Sequence, residues 1–329
     1  MVCIALHIRL KAPTAPAADR PSGPLSHMTS SPAGRATSDP PEARGGLLFP
    51  TAYVAAQLLF AFFLFYINRP LAAVVQVQGL GTASNITHVV LGGASTPYQV
   101  KPLGPSPGGL AASGLAFVAL TAVATFLLAY LLLRGHRGRL WLPISAGLGY
   151  GGVAVGLLSL GPLGPFLAAL VPCVLWAVYV LSAAGKAPPA LSFLFGSYLT
   201  AGLAVACAIY LPLTTLILLP IAYAAWDAFA VLRGPLAKAV SAMPDRLERM
   251  FLVSVGGTGI GFGDLFFYSL MASMGFLFSP AAGLMASVAV VAGFSLTLAL
   301  LHSGSHEALP ALPLPLVFSL LAIAAAVYL

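Results

Sequence analysis

Charge is what this sequence has least of. Only 7% of its 329 residues are charged, and only eight of them are acidic; ordinary soluble domains carry about 25% charged residues. A soluble globule is excluded. The formal charge of +7 is small for this length, and the basic residues lie in the tail and loops. A nucleic-acid patch is therefore a poor reading, and the basic residues read better as topology signals. Cysteine is almost absent as well. Cys3, Cys173 and Cys207 are scattered and odd in number, which argues against a disulfide framework or a metal spacing; they read as small buried hydrophobes. No cleavable signal peptide is evident, since the first long apolar run begins only near Leu47. What the sequence does hold is apolar side chains, 59% of the total. That composition indicates an all-α polytopic membrane protein.

Residues 1–46 are rich in Pro, Ala, Ser and Arg, without periodicity. They read as a disordered cytoplasmic tail, with Met28 as an alternative start. Residues 47–329 then form a single membrane domain. Apolar runs fall at roughly 48–67, 110–133, 141–161, 163–184, 188–211, 213–232, 262–279, 280–302 and 310–329. A helix rising about 1.5 Å per residue needs about 20 residues to cross the hydrocarbon layer. Nine spans are expected, five in 48–211 and four in 212–329, the seventh somewhat short. With the tail inside, thirteen of the fifteen basic residues are cytoplasmic; only Arg69 and Lys101 lie outside. The positive-inside rule thus places the protein in the cell membrane with its N-terminus cytoplasmic and its C-terminus outside. The connector 68–109 holds a possible glycosylation sequon at Asn85-Ile86-Thr87. Gly147/Gly151 and Gly152/Gly156 are expected to permit close helix packing, and Pro220 to bend the sixth span.

Six of the eight acids lie in tail, loop or connector: Asp19, Asp39, Glu42, Asp245, Glu248 and Glu307. The other two, Asp227 and Asp264, fall inside apolar spans. Ionisable groups are expensive there and mark function by default. Asp227 stands six residues before Arg233, on the order of 9 Å into the layer at the cytoplasmic side. The seventh span runs the other way and enters from the cytoplasm just ahead of Asp264. Antiparallel neighbours thus bring the two carboxylates to similar depth. Two carboxylates that close cannot both ionise cheaply, so one proton should be shared between them. An acid and a base then face each other, able to activate a water and polarise a carbonyl.

Glycines crowd the approach to Asp264: Gly256, Gly257, Gly259, Gly261 and Gly263. They weaken helix, and non-helical backbone survives in a bilayer only where protein buries it or it lines a watery cavity. A nucleotide loop does not fit, because no Walker lysine follows and no βαβ unit surrounds the glycines. Just upstream, Phe251-Leu252-Val253-Ser254-Val255 is short and β-prone. It reads either as an edge strand that could receive an extended substrate through main-chain bonds at Leu252 and Ser254, or as the start of the seventh helix. Pro310, Pro313 and Pro315 open the ninth span, preventing regular helix and leaving free carbonyls.

Taken together these residues resemble the presenilin family of GxGD intramembrane aspartyl proteases. Gly261-Phe262-Gly263-Asp264 matches the family's GxGD, and Leu265-Phe-Phe267-Tyr268-Ser269 continues in presenilin's manner. Asp227 with the following Gly234-Pro235-Leu236 is similar to presenilin's sixth span and loop, and Pro310-Ala311-Leu312-Pro313 matches the PAL motif. The resemblance covers spans six to nine well, and the first five by count and hydropathy. It implies a presenilin-like fold with a water-accessible site between helices six and seven, hydrolysis of peptide bonds within transmembrane segments, and Asp227 and Asp264 as the catalytic pair. It implies further that Gly261, Phe262, Gly263, Pro310, Ala311 and Leu312 contact substrate, that substrates are transmembrane peptides with their N-termini outside, and that no cofactor is needed. Trp226 stands where the family has tyrosine, with Tyr223 one turn earlier. The loop between the aspartate spans is short, as in archaeal homologues, so self-cleavage and partner subunits are not expected.

Two other classes compete. An ion or proton-coupled transporter or channel could use Asp227 and Asp264 as a relay, although no internal repeat of the transporter kind is found. A metalloprotease would recruit His302, His306 and Glu307, but these sit at a helix end with no third ligand in view and read as solvated loop residues.

Overall fold

The computed structural model describes residues 47–78, 88–89, 98–99, 141–188, 191–211, 213–232, 251–255, 258–303 and 309–328. Within them the chain forms eight α-helices: α1 (Leu48–Gln78), α2 (Trp141–Ser159), α3 (Pro165–Ala183), α4 (Ser192–Tyr210), α5 (Leu213–Leu232), α6 (Phe262–Phe278), α7 (Pro280–His302) and α8 (Pro313–Tyr328). Two two-stranded antiparallel pairs accompany them: β1 (His88–Val89) with β2 (Tyr98–Gln99), and β3 (Leu252–Val255) with β4 (Thr258–Gly261). Helices are what apolar segments adopt in lipid, because every backbone group is then satisfied within its own segment.

Segment ends follow local chemistry. Gly164 takes φ 99°, a left-handed conformation that favours glycine, and Pro165 then opens α3 at a position where its missing N–H costs nothing. A single residue, Ser279, separates α6 from α7; its hydroxyl accepts the Ala282 N–H at 2.9 Å, capping α7, and Pro280 follows at the first helical position.

The helices do not share the membrane equally. Among the described residues four segments are long and apolar enough to cross: Leu48–Arg69, Pro165–Ala183, Phe193–Tyr210 and Pro280–His302. Four further apolar helices are shorter, among them Phe262–Phe278. That helix, α6, is the hub. It is buried without interruption from Phe262 to Phe276 and packs against α1, α4, α7 and α8. Outward-facing Leu59, Phe63, Phe166, Val288 and Leu321 stay exposed, the apolar belt that a lipid-facing surface requires. Polar side chains tie the hub in place. From α1, the Gln57 side-chain amide donates to Thr200 Oγ1 of α4 at 2.9 Å and to Ser269 Oγ of α6 at 3.2 Å. Between apolar helices surrounded by lipid, such bonds contribute about 0.6–2 kcal/mol each.

The structure refines several expectations. The first helix runs eleven residues beyond the expected 48–67 run, and 22 of its 31 residues form the membrane candidate Leu48–Arg69. The 110–133 run, the sequon, Cys3, residues 1–46 and the 233–250 loop lie outside the described residues. Of the two glycine pairs, only Gly152/Gly156 lies at a helix contact: a Cβ on Gly152 would come 2.9 Å from the Phe195 ring, whereas Gly147 and Gly151 have nothing within 4 Å. Cys173 is exposed on α3 rather than buried, and Cys207 is half-buried; spacing along a helix does not say which residues turn towards lipid.

Candidate active site

Asp227 sits on α5 and Asp264 in the first turn of α6, and each is only 3% exposed. The two helices are linked through residues 233–261, of which the last part is the β3–β4 hairpin. Of the Phe251–Val255 segment, Leu252–Val255 is thus strand and does not start the following helix, as its β-branched composition favours. Its register pairs Leu252 with Gly261, Val253 with Ile260, Ser254 with Gly259 and Val255 with Thr258. β4 delivers the chain directly into α6: Gly261 is still extended, at φ −74° and ψ 146°, and Phe262 begins the helix.

The two aspartates line one small cavity. Tyr223, Trp226 and Asp227 contribute from α5, Gly263, Asp264 and Phe267 from α6, and Leu312 from the segment ahead of α8. Its volume is about 10 Å³, the lower edge of what a single water needs. Among the described residues no basic side chain lines it. The Tyr223 and Phe267 rings close one wall, with centroids 4.6 Å apart.

The proline-rich segment holds α5 in place. Pro310–Leu312 stay outside α8, which starts only at Pro313; the Leu312 carbonyl accepts the Leu316 N–H at 3.1 Å, and the Ala311 carbonyl and Leu312 N–H are left for other partners. The Leu312 N–H donates to Asp227 Oδ2 at 3.2 Å, and the Ala311 carbonyl accepts the Tyr268 hydroxyl at 2.9 Å. Asp227 Oδ1 has no protein hydrogen-bond partner among the described residues. More of the packing of α5 is on α8 than on α6.

Of the residues singled out from sequence, Asp227, Asp264, Gly263 and Leu312 meet at the cavity. Ala311 is buried one residue away, and Pro310 is half-buried. Gly261, Leu252 and Ser254 lie in the hairpin. Phe262 does not line the cavity. Its side chain turns to the opposite side and seats on Gly196 of α4, where a Cβ would come within 2.5 Å of its ring, with Tyr179 of α3 at a centroid distance of 6.4 Å. Phe267 lines the site without having been assigned a role. It stands three residues after Asp264, as Tyr223 stands four before Asp227, and helical neighbours at those spacings share a face. That spacing was the available signal. His302 Nδ1 lies 2.8 Å from its own helix's Leu298 carbonyl, while His306 and Glu307 lie outside the described residues.

No protein family's sequence profile matches the chain, and no curated protein matches it in sequence. Solved structures do. A presenilin family intramembrane aspartate protease in a C222 crystal form superposes with a TM-score of 0.51 at 22% identity, covering 84% of this chain and 98% of that one. A presenilin family intramembrane aspartate protease in a P2 crystal form gives 0.48 at 20% identity, covering 82% and 95%. The first of these establishes a shared fold: the chain is folded as a presenilin family intramembrane aspartate protease is.

Proposed function

We propose that this chain is an intramembrane aspartyl protease of the GxGD type, cleaving peptide bonds within transmembrane segments of other membrane proteins. One observation carries the reading: two aspartates from different helices, both buried in an apolar helical fold, line a single cavity of about water size. Burial of one carboxylate could serve packing, but two beside room for one water is the arrangement hydrolysis needs. The shared fold and the motifs at Gly261–Asp264 and Pro310–Leu312 support it.

The chemistry follows from two carboxylates sharing one proton. The ionised member removes a proton from the water while the protonated member gives its proton to the substrate carbonyl oxygen. The resulting hydroxide oxygen bonds to the carbonyl carbon, giving a neutral tetrahedral diol. The carboxyl that took the water's proton then delivers it to the amide nitrogen. The C–N bond breaks as the other carboxylate takes back a hydroxyl proton, leaving an amine and a carboxylic acid. Both carboxyls end as they began, and no cofactor enters. On this reading the domain has nine spans with the site between the sixth and seventh, α5 and α6 here. The tail is cytoplasmic, and the chain works without partner subunits on substrates whose N-termini lie outside. Leu252 and Ser254 of β3, with Gly261, Phe262 and Gly263 and the Pro310–Leu312 segment, would hold the substrate extended.

The test is Asp227→Asn and Asp264→Asn, reconstituted in liposomes with a single-span substrate. An amide is close in shape to a carboxyl, so each variant should fold but lose its proton function, lowering cleavage by at least about a thousandfold. Normal cleavage by either variant overturns the assignment. A parent that cleaves nothing but carries protons across the liposome, a flux lost in both variants, would establish the relay instead.

A further inference from the structure

The two hydrogen bonds that reach the proline-rich segment converge on a single peptide unit. The carbonyl of Ala311 and the N–H of Leu312 are the two ends of one amide. The first accepts from the Tyr268 hydroxyl at 2.9 Å and the second donates to Asp227 Oδ2 at 3.2 Å. An amide is planar and its two polar groups point in opposite directions, so whatever fixes the carbonyl fixes the N–H. Tyr268 is wholly buried, and it stands four residues after Asp264 on the same helix, hence one turn further on nearly the same face. The helix that carries one aspartate therefore reaches, through its own tyrosine and one amide of a third segment, the carboxyl of the other.

The geometry points to Tyr268 as a positioning residue: its hydroxyl holds the Ala311–Leu312 amide so that the amide N–H pins Oδ2 of Asp227 and leaves Oδ1 for the water. This rests on the protease reading and deepens it. The segment needs such a holder. Pro310 and Pro313 flank the amide, so neither neighbour supplies a backbone N–H that could tie it into a helix ladder. Ala311 has only a methyl group for packing. Asp227 needs it too, because a carboxyl turns about its last bond with little preference among orientations, and α5 rests more on α8 than on α6. Tyr268 is not among the residues that line the cavity. It acts through the peptide alone.

The test is Tyr268→Phe in the full-length protein in liposomes, with Tyr198→Phe as its control. Tyr198 is also buried and also donates its hydroxyl to a backbone carbonyl, that of Gly152 at 3.1 Å, but away from the cavity. Both variants lose one buried hydroxyl and should lose similar thermal stability. Only Tyr268→Phe should lower kcat, by about tenfold to a hundredfold, the range of a hydrogen bond to a charged group, with KM within about twofold of the parent. Its pH–rate profile should also move by about one unit on the acid side, which a purely structural tyrosine would not do. A parent that cleaves while Tyr268→Phe keeps its kcat and pH profile overturns the positioning role and leaves the protease reading standing. Equal kcat losses in both variants overturn it as well. If Tyr268→Phe does not fold, Leu312→Pro removes the N–H itself and must lower kcat at least as far; unimpaired turnover there is fatal. A parent that cleaves nothing at all fails the protease reading, a separate outcome.

Discussion

At the scale of single residues, the burial of Asp227 and Asp264 is the costliest feature of the molecule and the one that says most. Ionisable groups buried in apolar helices mark function by default, and on the protease reading these two are the catalytic pair. If they titrate as a pair, the cleavage rate should rise and then fall with pH, through two apparent pKa values that belong to the pair rather than to either residue. Rates measured across acid and alkaline pH on protein shown to stay folded will check this; a flat profile contradicts a shared proton. Phe262 illustrates the opposite case. It is the variable position of the GxGD motif, yet it is anchored away from the cavity on Gly196. Gly196→Ala would force the ring out of its seat, since a Cβ there comes within 2.5 Å of it. Overpacking of this kind costs about 1–3 kcal/mol. A lower melting temperature with reduced cleavage is expected, both restored when Phe262→Leu is added; a variant that melts and cleaves as the parent does would show that the seat is soft.

At the scale of elements, α6 and the hairpin before it matter most. With 17 residues, α6 rises about 26 Å, short of a hydrocarbon layer of about 30 Å. It does not need to match the layer, because other helices rather than lipid surround it. The short seventh run in the sequence thus has its explanation in burial. β3 is paired with β4 along one edge, which among the described residues leaves its second edge for an added strand. Successive amides of a strand point to opposite edges. Val253→Pro and Ser254→Pro therefore remove one N–H from each edge, and a proline on the edge that receives substrate cannot pair there. At least one of the two variants should cripple cleavage while leaving the helical content by circular dichroism unchanged. Full cleavage by both would take the strand out of the mechanism.

At the scale of the whole molecule, the protease reading makes the orientation of the chain decide which substrates fit. A cleavage site that holds its substrate extended is chiral, so only one strand direction sets the scissile carbonyl between the two aspartates. With thirteen basic residues expected on one side and two on the other, a single cysteine placed in the tail of a cysteine-free variant should react with an impermeant maleimide only after lysis. A cysteine appended at the C-terminus should react in intact cells. Substrates with external N-termini should then be cleaved and their reversed counterparts spared. The opposite labelling pattern would reverse the predicted substrate direction.

The sequence by itself determined the class of protein and the identity of the two aspartates. Scarcity of charge forces a membrane solution, and in that solvent any remaining carboxylate is conspicuous, so composition and position alone single out Asp227 and Asp264. The ends of α5, α7 and the Pro310–Leu312 break were legible for a similar reason: prolines and apolar run lengths act over a few residues of chain. The rest needed the tertiary structure. Which glycine pair meets a neighbour, where Phe262 points, that Phe267 and Tyr223 wall the cavity, and that one amide joins Tyr268 to Asp227 all depend on how helices far apart in sequence are turned about their axes. An apolar helix in an apolar environment carries little periodic contrast between its buried and lipid-facing sides, so its sequence hardly encodes that rotation. Packing against neighbours fixes it instead.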